Sequence, residues 1–426
     1  MAGAIQETFQ LVDGLRSTAI IRVIGVGGGG CNTVNQMAQG GIGGVEFIVS
    51  NTDRDHLEKC VTTNQLQLGA ALTRGLGAGS NPEIGRQSAD EDRERIAEML
   101  EGTDLLFITA GMGGGTGTGA APVIAEVAKE MKILTVAVVT KPFPSEGKKR
   151  MAQAQQGIMQ LQQHVDSLIV IPNEKLKLVL GGSVSLMNAF KAANDVLQNA
   201  VLGISDLITR PGEINLDFAD VRTVMGARGM AMMGIGKAAG EDRAKKAVEA
   251  ALSSPLLDDI QISGARGILV NITCDETLTL DEHDYIMQHV GEVASEEADI
   301  KCGTSIDPSL NGELRVTVVA TGLASTRVHE NTNIVDFRSR EQAARRSMVP
   351  GLGGASSMGH MGHPAAQVQT RQPQMTPRVP GLRPMASDSS YPRPQMAATG
   401  THGKSWLEDL SDDVLDVPAF LRAQAD

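Results

Sequence analysis

The sequence predicts an α/β protein: a doubly wound, mostly parallel sheet, a long central helix, a smaller C-terminal α/β domain, and a disordered linker ending in a short peptide. Three observations carry that prediction. From Thr18 to Asn173, near-continuous apolar runs alternate with helical segments; from Val184 to Ile208, one apolar stripe runs the length of a single helix; from Asn331 to Lys404, proline and small polar residues take over.

The runs AIIRVIGV, VEFIVSN, DLLFITA, ILTVAVVT and SLIVIPN lack the polar alternation of half-exposed strands. Strands buried on both faces belong to a parallel sheet covered by helices. Between them lie the candidate helices EIGRQSADEDRERIAEML and PVIAEVAKE. The long helix places Leu186, Phe190, Ala193, Leu197, Val201, Ile204 and Ile208 at spacings of three and four, so it faces a core throughout. After Arg210-Pro211-Gly212, the runs GILVNIT, ADIKCGTSI and ELRVTVVAT predict the smaller domain. The boundaries that follow are a flexible N-terminus over 1–16, a first domain over 17–182, the central helix over 183–208, the second domain over 209–322, the linker over 323–404 and the peptide over 405–426.

Composition excludes several classes. A net charge of −12 argues against nucleic acid as a partner, because that needs basic surface to displace counterions. Cys31, Cys60, Cys274 and Cys302 form no CxxC, so neither a disulfide framework nor a zinc site is indicated, and a reducing cytoplasm fits. The start MAGAIQETFQLVD lacks the basic and apolar blocks of a signal peptide. The uncharged run Leu105 to Ala125 is broken by glycines and reads as strand, loop and helix, so no membrane insertion is expected.

Glycine is abundant, at 48 residues, and concentrated where strands meet helices. Gly25-Val26-Gly27-Gly28-Gly29-Gly30 follows the first strand and satisfies G-x-G-x-x-G, with Asp53 near the end of the second strand. Alone that suits a dinucleotide oxidoreductase, or any phosphate resting on a helix N-terminus. The segment Gly111 to Gly119 supplies a second such cradle, which implies a longer or more exposed phosphate chain. Neither cradle carries the Lys-Ser/Thr of a Walker motif, so amides, helix dipoles and a cation must neutralise the charge.

GGGTGTG, with GVGGGG upstream and NLDFAD downstream, resembles the tubulin-like GTPases of the bacterial cell-division branch, from about Ile21 to Gly322 and again in DVPAFLRAQAD. The resemblance implies GTP or GDP with an expected Mg2+, and an assembly-dependent hydrolase that forms the ring at the division site beneath the inner membrane. It places Gly28, Gly29, Gly30, Cys31 and Asn32 around the α- and β-phosphates and Gly115, Thr116 and Gly117 at the γ-phosphate. Glu146 and Arg150 would contact the ribose, and Asn173, Phe190, Asn194 and Asp195 would form the base pocket. By spacing alone, Glu146 and Arg150 equally suit a surface ion pair, Phe190 a core position and Asp195 a solvated helix face. A carboxylate such as Asp195 can accept the adjacent N1–H and N2–H2 of guanine, an edge adenine lacks. Cys31 stands where the family commonly has glycine; a thiol at a helix N-terminus is expected to be exposed and reactive, its oxidation weakening nucleotide binding.

The resemblance makes Asn215, Asp217 and Asp220 catalytic. Two carboxylates three residues apart can orient an attacking water, or simply cap the helix ADVRTVM. Ile208 lies about 20–27 Å along one rigid helix from Phe190 and Asp195. The acidic loop is therefore expected to complete the site of the next subunit in a head-to-tail filament. The linker holds eight of 17 prolines and spans about 50 Å as a coil. Between Ala343 and Lys404 it has seven Lys/Arg against one acid. His360 and His363 there lack further ligands and read as solvated, and no protein metal site is assigned. Residues 411–426, with Phe420 and Leu421, are expected to bind a membrane anchor and division regulators.

Overall fold

A computed structural model of the chain describes residues 19–180, 184–210, 212–257 and 264–323. The expected flexible N-terminus, the linker with His360 and His363, and the terminal peptide lie outside the described residues.

The first part runs β1 (Ile21–Val26), α1 (Gly27–Gln39), β2 (Val45–Asn51), α2 (Arg54–Glu58), β3 (Gln65–Gln67), α3 (Ala70–Thr73), α4 (Pro82–Glu91), α5 (Arg93–Leu100), β4 (Leu105–Gly111), α6 (Thr116–Glu130), β5 (Leu134–Lys141), α7 (Lys148–Gln162), β6 (Ser167–Pro172) and α8 (Asn173–Leu180). The helix α9 (Leu186–Thr209) follows. Then come α10 (Phe218–Met225), β7 (Gly229–Ala239), α11 (Arg243–Leu252), β8 (Gly267–Cys274), α12 (Leu280–Val293), β9 (Asp299–Ile306) and β10 (Glu313–Leu323).

Strands β3-β2-β1-β4-β5-β6 lie in that order and all pair in parallel. Chain order reverses between β1 and β4, so successive crossover helices pass to opposite faces and a crevice opens beyond the carboxyl ends of those two strands. Strand β4 shows why the apolar runs were unbroken. Leu105 and Phe107 enter one core cluster with α1 and α9, while Leu106 and Ile108 enter another with α4 to α7. All four are fully buried, each stabilising by about 1.5–3 kcal/mol relative to exposure.

The smaller part has its own cluster, built on Val248, Val270, Ile286 and Val316. It is not a separate sheet: β7 pairs in parallel with β6 through Ser167–Gly229, Leu168–Met230 and Ile169–Ala231, and the order continues β7-β10-β8-β9. Strand β10 is antiparallel to β7 and β8. Helix α9 lies across the junction, its Leu197, Val201 and Ile204 packing with Val138 and Ile171 of the first part and Met233, Leu269 and Val319 of the second.

Three elements depart from the sequence expectation, the short strand β3 and two with a visible cause. The helix expected over EIGRQSADEDRERIAEML is two, because Asp92 turns its buried carboxylate onto Gly69 N (2.7 Å) and Arg95 (2.8 Å) instead of continuing the turn. Strand β7, GMAMMGIGKAA, was not foreseen, since glycine and alanine disfavour strands. Its glycines serve helix contact: a Cβ on Gly234 or Gly236 would lie 2.0 Å from Ala251 O or 1.9 Å from Ala247 O of α11.

Candidate functional site

Both glycine segments leave neighbouring strands at the reversal point, where Val26 of β1 is paired with Ala110 of β4. Helix α1 begins inside its glycines, at Gly27, and α6 begins at Thr116. Neither N-terminus has a side-chain cap or an acid in its first turn. By contrast Asp53, Asn81, Asp217 and Thr279 cap α2, α4, α10 and α12. The uncapped first-turn N–H groups of α1 and α6 are therefore free for an anion.

Part of the glycine content has a packing cause that sequence did not disclose. A Cβ on Gly30 would sit 2.3 Å from Thr109 O, and one on Gly27, whose φ is +70°, would sit 2.7 Å from Gly117 N. The two cradles thus touch backbone to backbone. Gly28 is different, its Cβ position opening toward the His56 ring at 3.4 Å. In the second cradle Gly115 backs onto Ala78, Thr116 Oγ1 lies 2.7 Å from Thr52 Oγ1, and Thr118 Oγ1 accepts from Gly113 N at 2.8 Å.

Six of the expected contact residues, Gly29, Glu146, Arg150, Asn173, Phe190 and Asn194, line one cleft together with Gly111 and Met112. Glu146 and Arg150 do form an ion pair, at 3.2 Å, and it stands in the cleft wall rather than on open surface. Glu146 also accepts from Phe143 N at 2.8 Å. Phe190 is no core residue: it is 42% exposed and meets the edge of Phe143, ring centroids 5.5 Å apart. Asn173 is buried with its Oδ1 unpartnered, an acceptor awaiting a donor. Asn194 Oδ1 accepts from Thr33 Oγ1 at 3.0 Å. Asp195 does not line the cleft; it accepts from Gln36 of α1. Asn32 lies in a neighbouring cavity, its Oδ1 3.0 Å from His56 Nε2. Phe143, Thr33, Gln36, Thr52 and His56 carried no sequence signal, being brought in by the fold alone.

Cys31 corrects an expectation. Its thiol is buried, not exposed, and faces the carbonyls of Ser50 (3.4 Å) and Gly25 (3.7 Å). A hydrogen bond with Cys60, reinforced by burial, pushes its pKa well above the usual thiol range. Helix position favours a thiolate only where the sulfur reaches the dipole and solvent.

Asn215, Asp217 and Asp220 lie at the other end of α9. Ile214 pairs with Thr304 of β9 through two hydrogen bonds of 2.9 Å, anchoring the loop there. Asn215 Oδ1 accepts from Gly212 N at 2.9 Å. Asp217 caps α10 by accepting from Asp220 N at 2.7 Å, and Asp220 pairs with Lys301 at 3.2 Å. None of the three lines the cleft, and from Asn194 to Thr209 the helix alone spans about 22 Å. Asp53 caps α2, accepting from His56 N at 3.1 Å, rather than standing free for a ribose.

Among the described residues no cluster of three or more His, Cys, Asp or Glu is arranged to hold a metal ion, and no helix is long and apolar enough to cross a membrane.

Comparison with known proteins agrees with this geometry. Residues 20–181 match the GTPase domain of the Tubulin/FtsZ family and residues 229–324 match the FtsZ family C-terminal domain. The chain is 52% identical to the cell division protein FtsZ of Pseudomonas aeruginosa over 425 residues, 98% of this chain and all of that one. It is equally identical to that of Pseudomonas putida, with the same coverage. A solved FtsZ dimer from M. jannaschii superposes with a TM-score of 0.69 at 47% identity, covering 72% of this chain and 89% of that one. CetZ1 of Haloferax volcanii, at 19% identity and a TM-score of 0.63, shares the fold. With two uncapped glycine cradles at the reversal point of its sheet, and near end-to-end likeness to these relatives, the chain belongs to the Tubulin/FtsZ family and carries its GTPase domain.

Proposed function

We propose that the protein is a polymerising GTPase of bacterial cell division whose active site is completed between head-to-tail subunits. The observation that carries this reading is the separation just described: the cleft sits at one end of α9 and the acidic loop at the other.

The nucleotide lies in the cleft at the reversal point. Its phosphates rest on the free N–H groups of α1 and α6, with Gly28 to Gly30, Cys31 N–H and Asn32 on one side and Gly115 to Gly117 on the other. Glu146 and Arg150 hold the ribose side, and Phe190 stacks on the base. Asn173 Oδ1 accepts one base donor, and Asp195 exchanges Gln36 for the guanine N1–H and N2–H2. A bound Mg2+ would supply charge neutralisation for the phosphates, and the Thr116 hydroxyl with its partner Thr52 would be the oxygen donors to help hold it. Asp217 and Asp220 of the next subunit orient the attacking water, Asn215 supporting the loop.

Such a contact is heterologous and does not close, so filaments form. The extension from 323 onward tethers them, residues 411–426 binding a membrane anchor and regulators at the midcell ring. GTP turnover measured against protein concentration tests the reading. Almost none is expected below a critical concentration and a linear rise above it; equal specific activity at every concentration contradicts it.

A further inference from the structure

Cys31 and Cys60, far apart in sequence, meet in the fold. Cys31 sits on the second turn of α1, fully buried, and Cys60 follows the end of α2 and packs against the same core cluster. Cys60 Sγ donates to His56 O at 3.5 Å, and Val61, the next residue, donates its N–H at 2.7 Å to Asn35 Oδ1, one turn beyond Cys31 on α1, so the segment after α2 lies against the Cys31 turn. The two thiols differ in access. Cys60 is half-buried and lines a cavity of about 500 Å³ with His56, Lys59, Asp53, Asp55 and Asn32, whereas Cys31 is fully buried and does not line it. They differ in reactivity as well: the Cys31 contact brings the Cys60 thiol down to about 7, while the same contact and burial push Cys31 up. A thiolate at the mouth of a cavity with a second thiol behind it is the arrangement of an attacking and a resolving cysteine.

We propose that Cys60 is a modification site for small neutral hydroperoxides and that Cys31 is its resolving partner, the pair closing into a disulfide that ties α1 to the segment after α2. The Cys60 thiolate attacks the peroxide, the O–O bond breaks, and Cys60 becomes a sulfenic acid as one oxygen leaves as hydroxide and takes up a proton. The Cys31 thiol then gives up its proton and attacks the Cys60 sulfur; the S–O bond breaks and water leaves. In total two thiols and one hydrogen peroxide give one disulfide and two waters. Two carboxylates against one ammonium in the cavity select a neutral oxidant over an anionic disulfide such as oxidised glutathione. The other two thiols are internal controls, because burial pushes Cys302 up to about 12 and also raises Cys274.

The chemistry is independent of what the cleft binds, although the bond would restrain the first turns of α1, which the functional reading assigns to phosphate. The test is hydrogen peroxide treatment of the reduced full chain, alkylation, digestion without reductant and peptide mass analysis. The expected product is a peptide joining Cys31 to Cys60, with Cys274 and Cys302 alkylated. C31S should stop at a Cys60 sulfenic acid trapped by a 1,3-dione, and C60S should leave Cys31 reduced. Oxidised Cys60 without the linked peptide, or oxidation of Cys31 in C60S at the wild-type rate, overturns the proposal.

Discussion

Replacing Gly30 by alanine examines whether the two cradles are locked backbone to backbone. Its new Cβ would lie 2.3 Å from Thr109 O, about 1.1 Å inside the 3.4 Å at which ordinary contact begins, and 3.0 Å from Gly25 C. Both obstacles are backbone, held by β1 and β4, so no side chain can swing aside. Overpacking of this kind costs about 1–3 kcal/mol or more, and relief requires α1 to move off the sheet. Gly28→Ala is the matched control, since its Cβ would meet only the His56 ring, at 3.4 Å. Denaturant unfolding of the two variants should show a lowered midpoint for Gly30→Ala and a near-native one for Gly28→Ala. Equal midpoints would refute the argument that Gly30 is there for the neighbouring backbone.

Other outcomes follow from the same geometry. Phe190→Ala removes an exposed ring held by Phe143; under the proposed reading, lost base stacking worth about 1–3 kcal/mol should weaken guanine nucleotide binding in a titration by roughly five- to a hundred-and-fiftyfold, with stability unchanged. Burial lowers the His56 pKa, opposed by Asp53 and aided by Lys59, so the folded chain holds its proton less tightly than the unfolded one. Its contribution is whole above the ordinary histidine value of 6.5 and declines as pH falls below it, a slope that His56→Gln should remove from the stability profile. Arg243 grips Glu282 with two hydrogen bonds, 2.7 and 3.0 Å, and depresses its pKa. Glu282→Gln should therefore cost about 2 kcal/mol at neutral pH, and the gap to wild type should close as pH falls through the depressed value.

How far sequence reaches is visible in particular residues. Buried strands such as β4 and the stripe of α9 were legible because burial on two faces, or on one, imposes a direct pattern on the side chains. Strand β7 was not, because its glycines answer to a helix far along the chain, a relation that periodicity cannot carry. The helix break at Asp92 has the same origin, in a partner at Gly69. In the site, the glycine cradles were legible as local motifs. Phe190 and the Glu146–Arg150 pair were ambiguous by spacing, and only their position in the cleft wall gives them meaning. Cys31 misled because helix position was visible in sequence but its burial against Gly25, Ser50 and Cys60 was not. For Asp217, capping and catalysis are compatible: the cap fixes the loop geometry that a neighbouring subunit would use.

The central claim, that Asp220 serves a nucleotide held by another subunit, is tested most directly by co-assembling wild-type chains with Asp220→Ala chains and measuring GTP turnover per wild-type subunit. The structure leaves Lys301 a second partner in Asp299, at 3.8 Å, so the variant is expected to fold and assemble. With wild-type chains held below their own critical concentration, added Asp220→Ala chains should raise turnover per wild-type subunit from almost none to the filament value, because each variant brings an intact cleft that a wild-type loop can serve. Turnover per wild-type subunit that the added variant leaves unchanged would place the acidic loop in its own chain's site and contradict the account.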